Sequence, residues 1–235
     1  MTDTTSSANL PPLVTIDGPS GSGKGLLSAN LARQTGWSLL DSGALYRLVA
    51  LTVIEQGLNL DDHQALSNAC LHLDASFEPG PDGINVHLRN EPVAQRLRHE
   101  DVGTMASKVA AMAVVREALL QRQRDYWQAP GLIADGRDMG TVVFPQAAVK
   151  VFLTASAEER ARRRYKQLLD KGEDVSFPDL LREIEARDER DRNRPLAPLR
   201  PADDAVVIDS TANPPDQVLA QVAELLRGRG LWLAH

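Results

Sequence analysis

Apolar residues fall along the chain in two alternating rhythms. Short apolar runs at 13–16, 37–40, 132–134, 148–153 and 205–208 are each bounded by turn or capping residues and predict five strands. Between them, stretches at 26–31, 42–55, 64–73, 114–128, 157–169 and 218–226 have helical spacing. The last carries apolar residues at Val218, Val222, Leu225 and Leu226. Strands that alternate with helices imply an α/β fold with a five-stranded parallel sheet and right-handed crossovers. A ligand then sits at the carboxyl ends of the strands. Those ends carry a glycine-rich loop after residue 17, then Asp41-Ser42-Gly43, Asp135-Gly136-Arg137-Asp138 and Asp209-Ser210-Thr211.

Two segments depart from this rhythm. The distance from the second strand to the third is too long for one crossover, so residues 58–112 must contain an insertion. Within it, a turn-rich stretch at 77–83 precedes the alternating Ile84-Asn85-Val86-His87-Leu88, which predicts a small antiparallel piece. It is either a subdomain beside the substrate or a structural decoration. The second segment, 155–194, holds 11 basic and 11 acidic residues. Equal numbers exclude a nucleic-acid patch, leaving either solvated helices laced by ion pairs or a lid that lowers arginines over phosphates. Its place after the fourth strand, on the ligand edge, favours the lid.

Composition narrows the function classes. A net charge of −6 argues against general nucleic-acid binding. Of 26 basic residues 21 are arginine, a bias that suits a phosphate-rich site, although surface preference produces the same bias. Cys70 is the single cysteine, which excludes an intrachain disulfide and a cysteine metal cluster and fits a reducing compartment. The polar start of the chain reads as a short disordered tail over 1–12, with no signal peptide. No run approaches 18 apolar residues, so no membrane span is expected and the protein is placed in the cytoplasm.

Chemistry enters with Gly18-Pro19-Ser20-Gly21-Ser22-Gly23-Lys24-Gly25, which lies between the first strand and the first helix. Glycines let backbone N–H groups turn inward around a polyanion, and Lys24 supplies a full charge for the β- and γ-phosphates. The usual loop ends Gly-Lys-Ser/Thr with its hydroxyl on Mg²⁺; here Gly25 and Leu26 follow the lysine. A dinucleotide-binding turn is a rival, because Asp41 stands 20 residues after Gly21. Against it, the third glycine of that fingerprint would fall on Leu26, and Lys24 would have no role.

The loop 16–25, the Leu40-to-Arg47 motif, the Asp135-to-Thr141 motif and the run Arg187-Asp188-Glu189-Arg190-Asp191-Arg192-Asn193-Arg194, in this order and spacing, resemble bacterial cytidylate kinases among the nucleoside monophosphate kinases. The likeness runs from about 13 to 225. It implies a three-layer P-loop fold in one domain over 13–235, with an NMP-binding insertion at about 58–112 and a short lid at about 160–194. It also implies transfer of the γ-phosphoryl group of ATP to CMP or dCMP. By this resemblance Gly18, Pro19, Ser20, Gly21, Ser22, Gly23, Lys24 and Gly25 bind ATP, and Lys24, Arg137 and Arg194 are catalytic. Asp41, Ser42, Arg47, Ser107, Arg116, Arg137, Asp138, Arg187, Asp191 and Arg194 bind CMP. The family loop commonly reads Gly-Lys-Gly-Thr, so Gly25 is expected and Leu26 stands where threonine would.

Hydrogen-bond complementarity gives these residues a rationale. Cytosine presents an N4 amino donor where uracil presents an acceptor, so the Asp138 carboxylate accepts from the first and repels the second. Arg116 can donate to cytosine N3 and O2. Asp138 is otherwise free to cap a helix or pair with Arg137, and Arg116 to be a surface residue. Mg²⁺ is expected to be held mainly through ATP phosphates and water, with no protein metal ligand. Asp135 suits either metal assistance or a structural turn. The expected partners are ATP, CMP and dCMP, with no nucleic acid and no membrane, for a monomer. The alternatives are a P-loop kinase for UMP or another small acceptor, and a non-catalytic nucleotide switch. No Asn-Lys-x-Asp guanine-reading sequence occurs to support the latter.

Overall fold

The computed structural model describes residues 10–81 and 83–232. Residues 1–9 of the expected N-terminal tail lie outside them. The first half runs β1 (Leu13–Asp17), α1 (Lys24–Thr35), β2 (Ser38–Asp41), α2 (Ser42–Gln56) and α3 (His63–Leu71). Then come β3 (Ala75–Gly80), β4 (Gly83–Leu88), β5 (Glu91–Pro92), α4 (Glu100–Val109) and α5 (Ala113–Asp125). The second half runs β6 (Leu132–Gly136), a π-helical turn (Met139–Val143), β7 (Val149–Thr154), α6 (Ala157–Leu169), α7 (Phe177–Arg192), β8 (Val206–Asp209) and α8 (Pro215–Gly228).

The five expected strands form one parallel sheet in the order β2-β6-β1-β7-β8. The apolar runs of β1, β6 and β7 are continuous because both faces are covered, whereas β8 is an edge strand with only Ile208 buried. Leu13, Leu40, Leu132 and Ala134 face a core shared with α2 and α5. The residues between them, Val14, Leu39 and Ile133, face a second core with Leu27 and Leu31 of α1 and Val218, Val222 and Leu226 of α8. One-residue alternation along each strand thus builds the three layers. Cys70 of α3 is buried in the first core, and burial pushes its thiol up to about 11, in keeping with an inert apolar role.

Register aligns the strand ends. Asp41 pairs with Asp135, Asp135 with Ile16, and Gly136 with Asp17, so Asp17, Asp41 and Asp135 reach one carboxyl edge together. Each strand there must pass into its helix, and the caps are specific: the Asp41 carboxylate accepts from the N–H of Ala44 at 2.9 Å, and Ser156 Oγ from that of Glu159 at 3.2 Å. Between β2 and β6, β3, β4 and β5 make a separate antiparallel sheet. The alternation at 84–88 falls in β4, and the turn-rich stretch before it belongs partly to β3, since Glu78 and Pro79 pair with Asn85 and Ile84. The charge-balanced segment forms α6 and α7, which pack on each other. Arg192 sits exposed beside Asp188 and Glu189, at 3.6 and 3.9 Å.

Candidate functional site

The loop after β1 is bent by necessity. Gly18 has φ 149°, and a Cβ there would stand 2.0 Å from the carbonyl oxygen of Leu153 on β7. Only glycine lets the chain leave the sheet at this point. Gly23, at φ 99°, starts α1, and the first helical residue is Lys24. Its ammonium is buried and donates to the carbonyl of Pro19 at 2.9 Å, folding the lysine back over its own loop. Burial pulls Lys24 down to about 8, with Arg137 adding to that pull and Asp135, Asp41 and Asp17 opposing it. Asp135 lies close by; burial pushes it up to about 7 against the attraction of Lys24 and Arg137. Ser22 Oγ is buried without a hydrogen-bond partner among the described residues.

A second cluster faces the loop from the neighbouring strand ends and α7. Arg137 donates from Nε to Asp191 at 3.0 Å. Arg194 Nε donates to the Asp191 carbonyl at 3.4 Å and lies 4.0 Å from its carboxylate. Burial would raise Asp191, but Arg137, Arg194 and Arg187 outweigh it and hold the carboxyl below its usual range. Arg187 is pulled down to about 10, first by burial and then by repulsion from Arg137 and Arg47. Arg47 in turn feels Arg137 and Arg164, and its Nη1 donates to the Leu97 carbonyl. Arg187 Nε and Arg194 Nη2 are buried with no hydrogen-bond partner among the described residues. Several guanidiniums in mutual repulsion, two of them with unused donors, concentrate positive charge at this edge of the sheet.

Beside it, Asp138 pairs with Arg116 rather than with Arg137, and both are largely buried. The Arg116 guanidinium also lies 5.8 Å from the Tyr46 ring centroid and donates to the Ala110 carbonyl at 3.3 Å. Ser42 Oγ donates to Gln123 Oε1 at 2.7 Å, a buried bond between α2 and α5. Ser107 Oγ donates to the Gly103 carbonyl at 3.2 Å within α4. Gly103 lies alongside the Arg47 guanidinium, where a Cβ would make ordinary contact at 3.5 Å with Nη1.

Most of the expected residues fall into three connected groups: the loop 18–25, the arginine cluster Arg47, Arg137, Arg187 and Arg194 around Asp191, and the Asp138–Arg116 pair; Asp41 caps α2, and the hydroxyls of Ser42 and Ser107 are spent on Gln123 and the Gly103 carbonyl. Three supporting interactions went unrecognised. Asp17, at the end of β1, accepts from the N–H groups of Met139 and Gly140 at 2.8 and 2.7 Å. Arg160 is buried and bonds both Asp188 oxygens, at 3.0 and 2.5 Å, and the Ser20 carbonyl at 3.1 Å. Arg163 bonds the Ser210 carbonyl, while Ser210 Oγ donates to the Ser22 carbonyl at 2.9 Å. None of these three leaves a signal in sequence spacing, whereas Gln123, the partner of Ser42, is a polar residue on the apolar stripe of its helix. Among the described residues no group of three or more His, Cys, Asp or Glu side chains is arranged to hold a metal, and no helix is long and apolar enough to cross a membrane.

The sequence has clear relatives. The cytidylate kinase family model matches residues 14–228. The cytidylate kinase of Aeromonas hydrophila is 58% identical over 213 residues, covering 91% of this chain and 93% of that one. That of Vibrio vulnificus strain CMCP6 is 56% identical over 218 residues, covering 93% and 96%. That of Pseudomonas fluorescens strain Pf0-1 is 56% identical over 216 residues, covering 91% and 94%. A strand-end phosphate loop, an arginine cluster facing it and a carboxylate–guanidinium pair beside both, in a chain so matched along nearly its whole length, place the protein in the cytidylate kinase family.

Proposed function

We infer that the chain transfers the γ-phosphoryl group of ATP to CMP and dCMP, forming CDP and dCDP and releasing ADP. The observation that carries the acceptor side is the arginine cluster, in which Arg187 Nε and Arg194 Nη2 are buried and unpartnered. An incoming phosphate dianion satisfies those donors and relieves the repulsion among Arg47, Arg137 and Arg187.

The chemistry needs no protein base, because the attacking oxygen belongs to an already ionised phosphate. What it needs is two polyanions held in line while charge shifts between them. Residues 18–25 wrap the ATP phosphates with backbone N–H groups, and Lys24 exchanges its Pro19 carbonyl for a phosphate oxygen. Arg137 and Arg194 stand between donor and acceptor as charge stabilisers, while Arg47 and Arg187 hold the CMP phosphate. Asp191 orients Arg137 and meets the ribose. Asp138 and Arg116, already paired, open toward the cytosine edge, which offers a donor to one and acceptors to the other. Ser107 lies on the base side, and Asp41 and Ser42 line the pocket wall at the start of α2. Residues 58–112 act as the NMP-binding insertion and 160–194 as the lid.

Mg²⁺ fits this site as a ligand of ATP. Of the carboxylates around Lys24, Asp41 and Asp17 are already engaged with backbone N–H groups, which leaves Asp135, and residues 25 and 26 offer no hydroxyl. That matches an ion that keeps its waters and takes few protein ligands. When bound it neutralises charge on the β- and γ-phosphates. The net negative charge supports a monomer without nucleic-acid partners, and the single cysteine fits the reducing cytoplasm. A coupled assay of ADP formation with CMP, dCMP, UMP and AMP tests the reading. CMP and dCMP are expected to exceed UMP and AMP in kcat/KM by at least about 10²-fold, since a mispaired base edge strands buried polar groups. Preference for UMP or AMP, or ATP turnover independent of acceptor, would sink it.

A further inference from the structure

The turn that follows Asp138 is capped in an unusual way. Asp138 occupies the N-cap position of the π-helical turn Met139–Val143, and its carbonyl accepts from Val142 and Val143 at 2.9 and 3.2 Å. Aspartate at such a position ordinarily turns its own carboxylate back onto the first free N–H groups. Here it makes no such bond, because the carboxylate is engaged with Arg116. The orphaned N–H groups of Met139 and Gly140 are taken up by Asp17, one oxygen each, at 2.8 and 2.7 Å, from a strand more than 120 residues earlier. Asp17 immediately precedes Gly18, the first residue of the phosphate loop.

We propose that Asp17 is a positioning residue for base recognition: by capping the turn in place of Asp138, it leaves the Asp138 carboxylate free to read the cytosine amino group, and it ties that reader to the ATP loop. The proposal rests on the assignment of Asp138 as the base reader. Its geometry is tightly specified. Asp17 is 4% exposed, so water does not compete for its oxygens. Gly140 closes over it, and a Cβ there would meet Thr15 Oγ1 at 2.9 Å and Asp17 Oδ2 at 3.3 Å. Glycine at 140 therefore lets the N–H approach the carboxylate. Burial raises the Asp17 carboxyl to about 6, against the two N–H bonds, which leaves it predominantly ionised at neutral pH.

The test compares CMP and UMP as acceptors in Asp17→Asn, Asp138→Asn and the double variant. An amide at position 17 sets an NH₂ donor against one of the two N–H groups that now have an oxygen each, so the turn loses half its cap and Asp138 is drawn toward it. Asp17→Asn is expected to lower the CMP/UMP ratio of kcat/KM about tenfold, in the direction of Asp138→Asn, with little further fall in the double variant, as residues acting through one another require. A merely structural role would lower the thermal midpoint or kcat for both acceptors and leave the ratio alone. That result, with a changed ratio in Asp138→Asn, overturns the proposal while the base reading stands. An unchanged ratio in Asp138→Asn itself overturns the base reading and the proposal with it. Should Asp17→Asn not fold, Gly140→Ala perturbs the same bonds from the opposite side. A lowered ratio there supports the proposal, and an unchanged one overturns it.

Discussion

Lys24 illustrates how a side chain can be held ready at a cost. Its ammonium is buried against the Pro19 carbonyl, and burial has already drawn it down to about 8. A nucleotide phosphate in place of that carbonyl gives it a full counter-charge, an interaction strongest once charge builds on the transferring group. Lys24→Ala should lower kcat by about 10²–10³-fold, the usual loss for one stabilising donor. Far-UV circular dichroism and the thermal midpoint should change little, since the loop conformation is set by its glycines. Near-parental turnover would remove Lys24 from the reaction. The loop itself is less tolerant. Gly18→Ala puts a methyl group 2.0 Å from the Leu153 carbonyl oxygen, a contact relieved only by moving β1 or β7. We expect a loss of more than about 3 kcal/mol in urea unfolding, at the large end for single substitutions.

Between α6, α7 and the loop, a buried ion pair makes one join, beside the Arg163–Ser210–Ser22 chain. Arg160 on α6 reaches Asp188 on α7 with two nitrogens and the Ser20 carbonyl with one, and both side chains are 3% exposed. Removing one partner leaves an uncompensated buried charge, so Asp188→Ala should cost about 3–5 kcal/mol in urea unfolding. Replacing both, as Arg160→Met with Asp188→Leu, should restore most of that loss, because two apolar side chains need no solvation. The two roles then separate: the double variant should stay stable yet show a raised KM for ATP, since nothing then tethers Ser20 to the helices. A double variant with normal KM would make the pair purely architectural. None of this was visible beforehand. Arg160 is one of 11 basic residues in a segment with 11 acidic ones, and sequence spacing does not distinguish a buried ion from a solvated one. The inner strands were readable because burial on both faces imposes continuous apolar runs, and the edge strand β8 because Val206, Val207 and Ile208 are β-branched. The loop 18–25 was readable because glycines and lysine have few other reasons to stand in that order. The π-helical turn at 139–143 left no trace in apolar periodicity, since its cap comes from Asp17 across the sheet.

The parallel sheet gathers the ends of β1, β2 and β6 at one edge, and so Asp17, Asp41, Asp135 and Lys24 become a buried charged set whose titration the entire fold must bear. Burial is the leading cause for each: Asp17 rises to about 6, Asp135 to about 7, and Lys24 falls to about 8. For the two carboxylates the folded value lies above the unfolded one, so the folded state keeps protons that the unfolded chain has released. Their favourable contribution is complete below about pH 3.8 and is lost as pH rises through 6 to 7. Lys24 runs the other way: its contribution is present above about 10.5 and lost as pH falls through 8. Near pH 7.5 both losses are in force, and the unliganded protein is weakened where the enzyme has to work. Asp135 is the simplest member to test, because its carboxylate makes no side-chain hydrogen bond among the described residues. It faces Lys24 and Arg137, which lower it, and Asp41 and Asp17, which raise it. Asp135→Asn keeps the shape and removes that titration. Near pH 3.8, where the folded carboxyl is fully protonated and the unfolded one is regaining its proton, the two proteins should unfold at nearly the same temperature, and the gap should widen from there up to about pH 7. By pH 8 the variant should be the more stable by roughly 1–2 kcal/mol, a gain of a few °C in Tm. A Tm difference that stays constant from pH 5 to 8 would show that Asp135 does not titrate in this range, and would place the origin of any pH-dependent weakening with Asp17 or Lys24.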